Sequence, residues 1–260
     1  MTPLKTLKKA LGIGFALTLC SASAQAAVTW TTWDFNGSIS SNQMTVGAAG
    51  NNVTATAWDT NYSGANAEYA QTNLRLFSGG IGAGPESTPE HAVDNRGVHE
   101  FLLLEFQMPT TLKQLQIGWP SSSSYDTDMT VMAFTGSGAF PTFTRSDMLL
   151  RNSDTTDTSG STRGLTNAGW TLISNPEDIR PSDGLTSIGN DGDVASSYWL
   201  IGAYNHFISG DSLIRDGYDY FKLKAVSGYK GDNRVPLPAT AALLGLGLVL
   251  LGSRKKLKAK

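Results

Sequence analysis

The sequence predicts an all-β fold: a single antiparallel β-sandwich, jelly-roll-like in character, over residues 27–227. Three observations predict it. The hydrophobic runs are short and often alternate with polar residues, as strands with one buried face do. Clusters of Gly, Ser, Asp and Pro separate them, from a total of 28 Gly and 10 Pro, and these are turn formers. The body between the two terminal segments has about 207 residues, enough for one large β domain with a real core.

The elements follow in order. Residues 28–35 are strand-like, with Val28 and Trp30 on one face, and 53–58 alternates β-branched and small residues. Residues 67–77 form another strand. Residues 98–106 (VHEFLLLEF) are nearly all apolar, as a strand buried on both faces would be. Residues 112–119 alternate with an imperfect phase. Residues 129–135, 169–173, 198–204 and 218–226 complete roughly nine strands, and that number with loop-rich connections suits a sandwich. In the last of them Lys222 and Lys224 mark a solvent side. Two short helices are predicted: 146–151, capped by Ser146, and 175–180, with Pro176 at its first position. Residues 153–163 are polar and low in complexity, an exposed loop. Residues 228–234 read as a polar linker.

Residues 1–26 read as a secretory signal peptide. Lys5, Lys8 and Lys9 precede an apolar run at 10–19, and small residues follow. Ala24 and Ala26 form the A-x-A site for signal peptidase. Cleavage after Ala26 is expected, with Ala24 and Ala27 as alternatives. The only cysteine, Cys20, lies inside this segment. The mature chain therefore has no disulfide, thiolate-held metal or cysteine nucleophile.

The other end, 235–260, reads VPLPATAALLGLGLVLLGSRKKLKAK. Pro236 and Pro238 lack amide donors and favour extended backbone. Residues 237–253 are largely apolar. As a helix they reach about 25 Å, just short of the roughly 30 Å hydrocarbon core. The transmembrane helix is placed at about 239–252. Arg254, Lys255 and Lys256 follow and are the cytoplasmic anchor by the positive-inside rule. With a cleaved signal peptide in front, the body faces outward.

This tail resembles the PEP-CTERM class of sorting signals in its Val-Pro-Leu-Pro-Ala variant: Val235, Pro236, Leu237, Pro238 and Ala239, then the Gly/Leu-rich span, then Arg254, Lys255 and Lys256. Leu237 stands where an acidic residue is usual. The resemblance implies processing by an exosortase, a membrane cysteine protease or transpeptidase, in a Gram-negative cell that exports polysaccharide. Residues 237–241 also resemble, loosely, a Gram-positive sortase signal. The twelve residues after Thr240 would reach only about 18 Å as a helix, too short for that reading. In the body, HAVDNRGVHEFLLLEF (91–106), LKQLQIGWPSSSSYDTDMTVMAFTGSG (112–138), YWLIGAY and YFKLKAVSG resemble an exosortase-dependent surface-protein family. That resemblance implies a β-rich surface domain and no enzymatic activity.

Charge excludes several partners. The whole chain has 20 Lys+Arg and 22 Asp+Glu. Setting aside three lysines in the signal and five basic residues in the tail leaves 12 basic against 22 acidic, a net of −10 for the body. Such a body does not suit nucleic acid or anionic lipid; it does suit divalent cations.

Catalytic signatures are sparse. His91, His99 and His206 lack a metal-helix spacing, and no G-x-S-x-G elbow accompanies the serines. Glu100 and Glu105 are five apart on one strand and face opposite sides, which is not a same-face glycosidase pair. Asp126 with Asp128, Asp191 with Asp193, and Asp94 with Asn95 place hard oxygens at spacings that suit Ca²⁺, and Asp126 and Asp128 are the candidate ligands of a structural calcium ion; turn and loop-cap chemistry is the favoured reading for all of them. Trp30, Trp33, Trp58, Trp119, Trp170 and Trp199 read mainly as core, with Trp119 and Trp170 the two expected at the surface.

The sequence thus reads as a non-enzymatic protein with no obligate cofactor. It would be held first in the inner membrane and then delivered to the cell surface or extracellular matrix, with extracellular polysaccharide as a partner. Two other readings stand beside it, a carbohydrate-binding module stabilised by calcium and a secreted glycan hydrolase.

Overall fold

The fold is organised by one long strand. In the computed structural model, which describes residues 28–60, 69–84, 91–120, 125–136, 155–156, 162–209 and 217–231, fifteen strands appear in chain order. They are β1 (Thr31–Asp34), β2 (Met44–Ala48), β3 (Asn51–Thr60), β4 (Tyr69–Thr72), β5 (Arg75–Phe77), β6 (Gly80–Gly82), β7 (Val93–Asp94), β8 (Glu100–Trp119), β9 (Met129–Phe134), β10 (Thr155–Thr156), β11 (Thr162–Arg163), β12 (Trp170–Ser174), β13 (Thr186–Ser187), β14 (Ser196–Ala203) and β15 (Tyr220–Lys230). A 3₁₀ turn at Pro181–Asp183 and a short helix α1 (His206–Ser209) complete the described elements. Thirteen of the strands form one sheet with antiparallel pairing, and β10 and β11 make a separate ribbon. The protein is all-β.

Strand β8 spans 20 residues and serves two neighbourhoods. Along 100–106 it pairs with β3 on one side and β14 on the other. Along 110–119 it pairs with β15. The two strands expected at 98–106 and 112–119 are therefore one. Pro109 lies between the halves, where the β14 register jumps from Thr110 to Glu105. No ladder donor is required at that irregularity, so a proline is tolerated there, and its carbonyl accepts the Gly231 N–H at 2.8 Å.

The apolar character of 100–106 has the cause expected of it. Leu102, Leu104 and Phe106 enter the main core with Trp33, Val53, Val131 and Trp199, and that cluster continues through Leu112, Ile117, Leu223 and Val226 of the other half. Phe101 and Leu103 face a second cluster with Tyr69, Met132, Trp170 and Leu200. Each such side chain contributes about 1.5–3 kcal/mol by leaving water. The imperfect phase of 112–119 is also physical. Between Leu112 and Gln114 the β15 register slips at Ser227/Gly228, so Lys113 bulges out and Leu115 and Ile117 return inward.

Several expectations are corrected. The strand at 67–77 is two, β4 and β5, interrupted at Asn73 and Leu74. Residues 175–180 are not helical. Their backbone groups are taken by a neighbouring segment: Pro176 O accepts the Met129 N–H at 2.9 Å, and Ile179 O accepts the Thr127 hydroxyl at 2.5 Å. Lys222 does not face solvent. It is buried, with Nζ 4.3 Å from the Phe77 ring centroid and 5.0 Å from that of Trp119, where the ring faces attract a cation. Lys224 is exposed as expected. Trp170 is buried in the second cluster, Trp119 is half-buried, and Trp30 is the exposed tryptophan. Residues 228–230 of the expected linker continue β15.

The signal-peptide residues Ala24 and Ala26, the helix expected at 146–151, the motif Val235–Ala239 and the basic cluster Arg254, Lys255 and Lys256 lie outside the described residues. Among the described residues no helix is long and apolar enough to cross a membrane.

Candidate functional site

At one end of the sheet, three carboxylates converge. Asp126 and Asp128 precede β9, and Asp219 precedes β15. Each offers an oxygen, and these oxygens lie within 4.8 Å of one another. Among the described residues this is the one group of three or more acidic, His or Cys ligands so placed. Asp126 is half-buried, while Asp128 and Asp219 are 4% and 2% exposed.

The backbone explains the convergence. Asp126 and Asp219 form an isolated parallel bridge, and the Tyr220 N–H donates to Asp126 O at 2.9 Å. The Asp128 N–H donates to Asp219 Oδ1 at 3.1 Å. The segment expected to be helical supplies a wall instead: the Asp178 N–H donates to Asp128 Oδ1 at 2.8 Å. Asn95 closes the other side. Its Nδ2 donates to Asp219 Oδ2 at 2.5 Å and to Tyr204 O at 3.1 Å, and its Oδ1 accepts the Asp219 N–H at 2.9 Å.

The electrostatics follow from this geometry. Burial pushes Asp219 up to about 8, and the nearby charges of Asp128 and then Asp126 add to the rise; hydrogen bonds from the Asp128 backbone and from Asn95 oppose it. Three carboxylates this close cannot all carry charge without compensation. Either a proton or a cation must sit among them. The donors are hard oxygens, which fits Ca²⁺ and not a soft metal.

Asp126 and Asp128, named as a pair from their spacing, lie in one cluster. The third carboxylate, Asp219, escapes a reading by spacing. The sequence carries no signal for it, because it stands 91 residues after Asp128 and reads as the edge of a strand. Of the remaining turn aspartates, Asp193 pairs with Lys113 at 2.6 Å. Asp94 is buried and accepts the Arg96 N–H at 2.9 Å, a local turn bond. Glu100 is buried and accepts the Asp94 N–H at 3.0 Å, while Glu105 is exposed on the other face.

A cavity of about 310 Å³ adjoins the triad, lined by Asn95, His99, Tyr204, His206, Phe207 and Tyr218, with Gly97 and Gly217 at its margin. Asn95 belongs to both features. A Cβ on Gly217 would lie 3.6 Å from Asp126 Oδ2. The His99 and His206 rings are 6.1 Å apart, Phe207 packs against both, and Tyr218 is 57% exposed. The volume is at the small end of the roughly 300–1,000 Å³ range of small-ligand sites. His91 stands apart, stacked on Phe77 at 5.5 Å.

No family model matches the chain, and no curated protein or solved structure matches it.

Proposed function

We propose that the chain is an exported, non-catalytic surface or matrix protein of a polysaccharide-exporting bacterium. Its body is a β-sandwich of jelly-roll type, with a structural calcium ion held by Asp126, Asp128 and Asp219. The tail holds the protein in the inner membrane until an exosortase processes it at the motif Val235–Ala239. The observation that carries the reading is the tail itself: Val235, Pro236, Leu237, Pro238 and Ala239 stand directly before an apolar span that ends in Arg254, Lys255 and Lys256. The convergent carboxylates support the calcium component.

Intact-mass measurement of the protein recovered from the cell surface tests the processing. The expected species begins at Ala27 and lacks the residues after about Pro238. In a strain without its exosortase, the tail-bearing form should accumulate in the inner membrane. A full-length tail on surface material, or unchanged sorting in the deletion strain, rejects the reading.

A second reading, a carbohydrate-binding domain, is favoured by one observation: an exposed Tyr218 ring and two imidazoles line one concavity. An aromatic face can cover the C–H face of a sugar, and imidazole can both donate to and accept from hydroxyls. The carboxylates beneath disfavour acidic sugars. An array of neutral, amino and uronic oligosaccharides is the test. Binding of neutral or amino sugars should fall about tenfold or more on Tyr218→Ala, on the scale of a lost central aromatic contact. Uniform failure to bind removes this reading and leaves the sorting reading untouched.

A further inference from the structure

The first and last described strands are neighbours. β1 pairs antiparallel with β15, with Thr31 opposite Gly228 and Asp34 opposite Ala225. The start of β1 and the end of β15 therefore share one corner of the sheet, and the chain enters and leaves the domain there. That corner is aromatic and exposed. Trp30 is 52% exposed and Val28 is 37% exposed. The Trp30 ring meets the half-buried Tyr229 ring edge to face, with centroids 5.9 Å apart. Lys230 beside them is exposed. The Tyr229 hydroxyl donates to Asp193 Oδ1 at 2.6 Å, and Lys113 pairs with the same carboxylate, so the acidic group at this corner is compensated.

A core explanation for Trp30 fails, because more than half of it is in water. Trp33, three residues on, shows what a core tryptophan looks like here: it is 1% exposed, and its Nε1 donates to Asn51 O at 2.7 Å. The distinguishing feature of Trp30 is its place in the chain. Only residues 232–236 separate Gly231 from the apolar run that begins at Leu237. Fully extended, that tether spans about 20 Å. A domain of this size has a radius of gyration of about 16 Å. The tether is thus shorter than the domain is wide, and the corner at its root stays next to whatever surface holds residue 237.

We infer that the corner formed by Val28, Trp30, Tyr229 and Lys230 is a membrane-facing surface, seated in the headgroup region of the bilayer that holds the tail. The inference rests on the reading of residues 237–253 as a membrane span and adds how the folded body meets that membrane. Trp and Tyr are the residues that settle at the boundary between lipid and water, and Lys extends to the headgroups. The consequence concerns presentation. A body docked by this corner holds the motif Val235–Ala239 at the level where a membrane-embedded processing enzyme works. Once the tail is removed, a contact of this size is too small to hold the protein, and the body leaves.

The test uses the signal-cleaved, tail-bearing protein made in a strain without its exosortase and placed in zwitterionic phosphatidylcholine vesicles, which avoid repulsion of the acidic body, carrying headgroup-level spin-labelled lipid. The mature chain has no cysteine, since Cys20 lies in the signal segment, so one introduced thiol can be labelled cleanly. Thr29→Cys reports the corner. Tyr218→Cys, next to the other end of β15 and roughly 30 Å away by strand rise, reports the far end. Quenching at residue 29 is expected to exceed that at residue 218 by about twofold or more, and Trp30→Ser should reduce the excess. Equal quenching at the two sites, or quenching of neither in vesicle-bound protein, overturns the docking while leaving the span intact. Protein that does not float with the vesicles overturns the span and the docking together. Disulfide crosslinking between copies of the Thr29→Cys variant without vesicles assigns the corner to a second copy of this chain and overturns the membrane contact.

Discussion

Raising the pH from about 5 to about 8 in EDTA is expected to lower the melting temperature of this protein, and added calcium to restore it. The sign follows from Asp219. Its folded-state pKa is about 8, well above the ordinary carboxyl value of 3.8. A raised carboxyl pKa means that the folded protein holds a proton the unfolded chain releases. The associated stability is present in full below the unfolded value and is lost as the pH rises through the folded one. The loss is at most about 1.4 kcal/mol per pH unit across that window. Calcium, if held as proposed, is expected to reverse the dependence. It competes with the proton for the ionised triad, so its affinity rises with pH, and at about a hundredfold excess over its Kd it adds about 2.7 kcal/mol.

Asp219→Asn separates the two components. It removes the charge and keeps the shape, so the pH slope should flatten and the calcium shift should vanish together. Calorimetric melts in EDTA and in calcium at both pH values, for the parent and the variant, read both effects. Coincident midpoints with and without calcium at the higher pH reject the ion. A slope that survives Asp219→Asn assigns the pH dependence to another group.

How much of this is readable from the sequence differs by element. The strands at 98–106 and 129–135 are legible because local composition there is apolar and β-prone, and the side chains of both strands reach the core clusters. The junction within β8 is not, because Pro109 looks like a terminator; only the mismatched register of β14 around it explains why the strand continues. Residues 175–180 carry a helix-start pattern, yet long-range bonds to Thr127, Asp128 and Met129 claim their backbone. Local propensity cannot foresee a competitor some 50 residues away. The site divides in the same way. Asp126 and Asp128 announce themselves by spacing, while Asp219 arrives only through the pairing of distant segments. Lys222 misleads because a charge in a strand normally marks the wet face, and nothing local reveals Phe77 and Trp119 as its cover.

Gly80→Ala is expected to cost about 3 kcal/mol or more, a size reserved for a few named mechanisms. Two of them act at this residue. Gly80 has φ +115°, where an L side chain is strained, and a Cβ there would lie 2.2 Å from Leu223 O and 2.6 Å from Leu223 C. Those are backbone atoms of the strand that β6 pairs with at Ile81. The clash cannot be relieved by a rotamer change, so β6 must leave β15. Ile81, fully buried, then loses its packing, and Phe77 at the end of the β5–β6 hairpin no longer covers Lys222. Gly97→Ala is the control that isolates strain. Its φ is +84°, yet nothing lies within 4 Å of the added carbon. It should cost only about 1 kcal/mol. Urea midpoints compared at constant m measure both. Equal losses would mean that backbone strain accounts for both sites, and that the hairpin can move off β15 without penalty. A loss confined to Gly80 locates the energy in the close approach of β6 to β15, the contact that holds the cover over Lys222 in place.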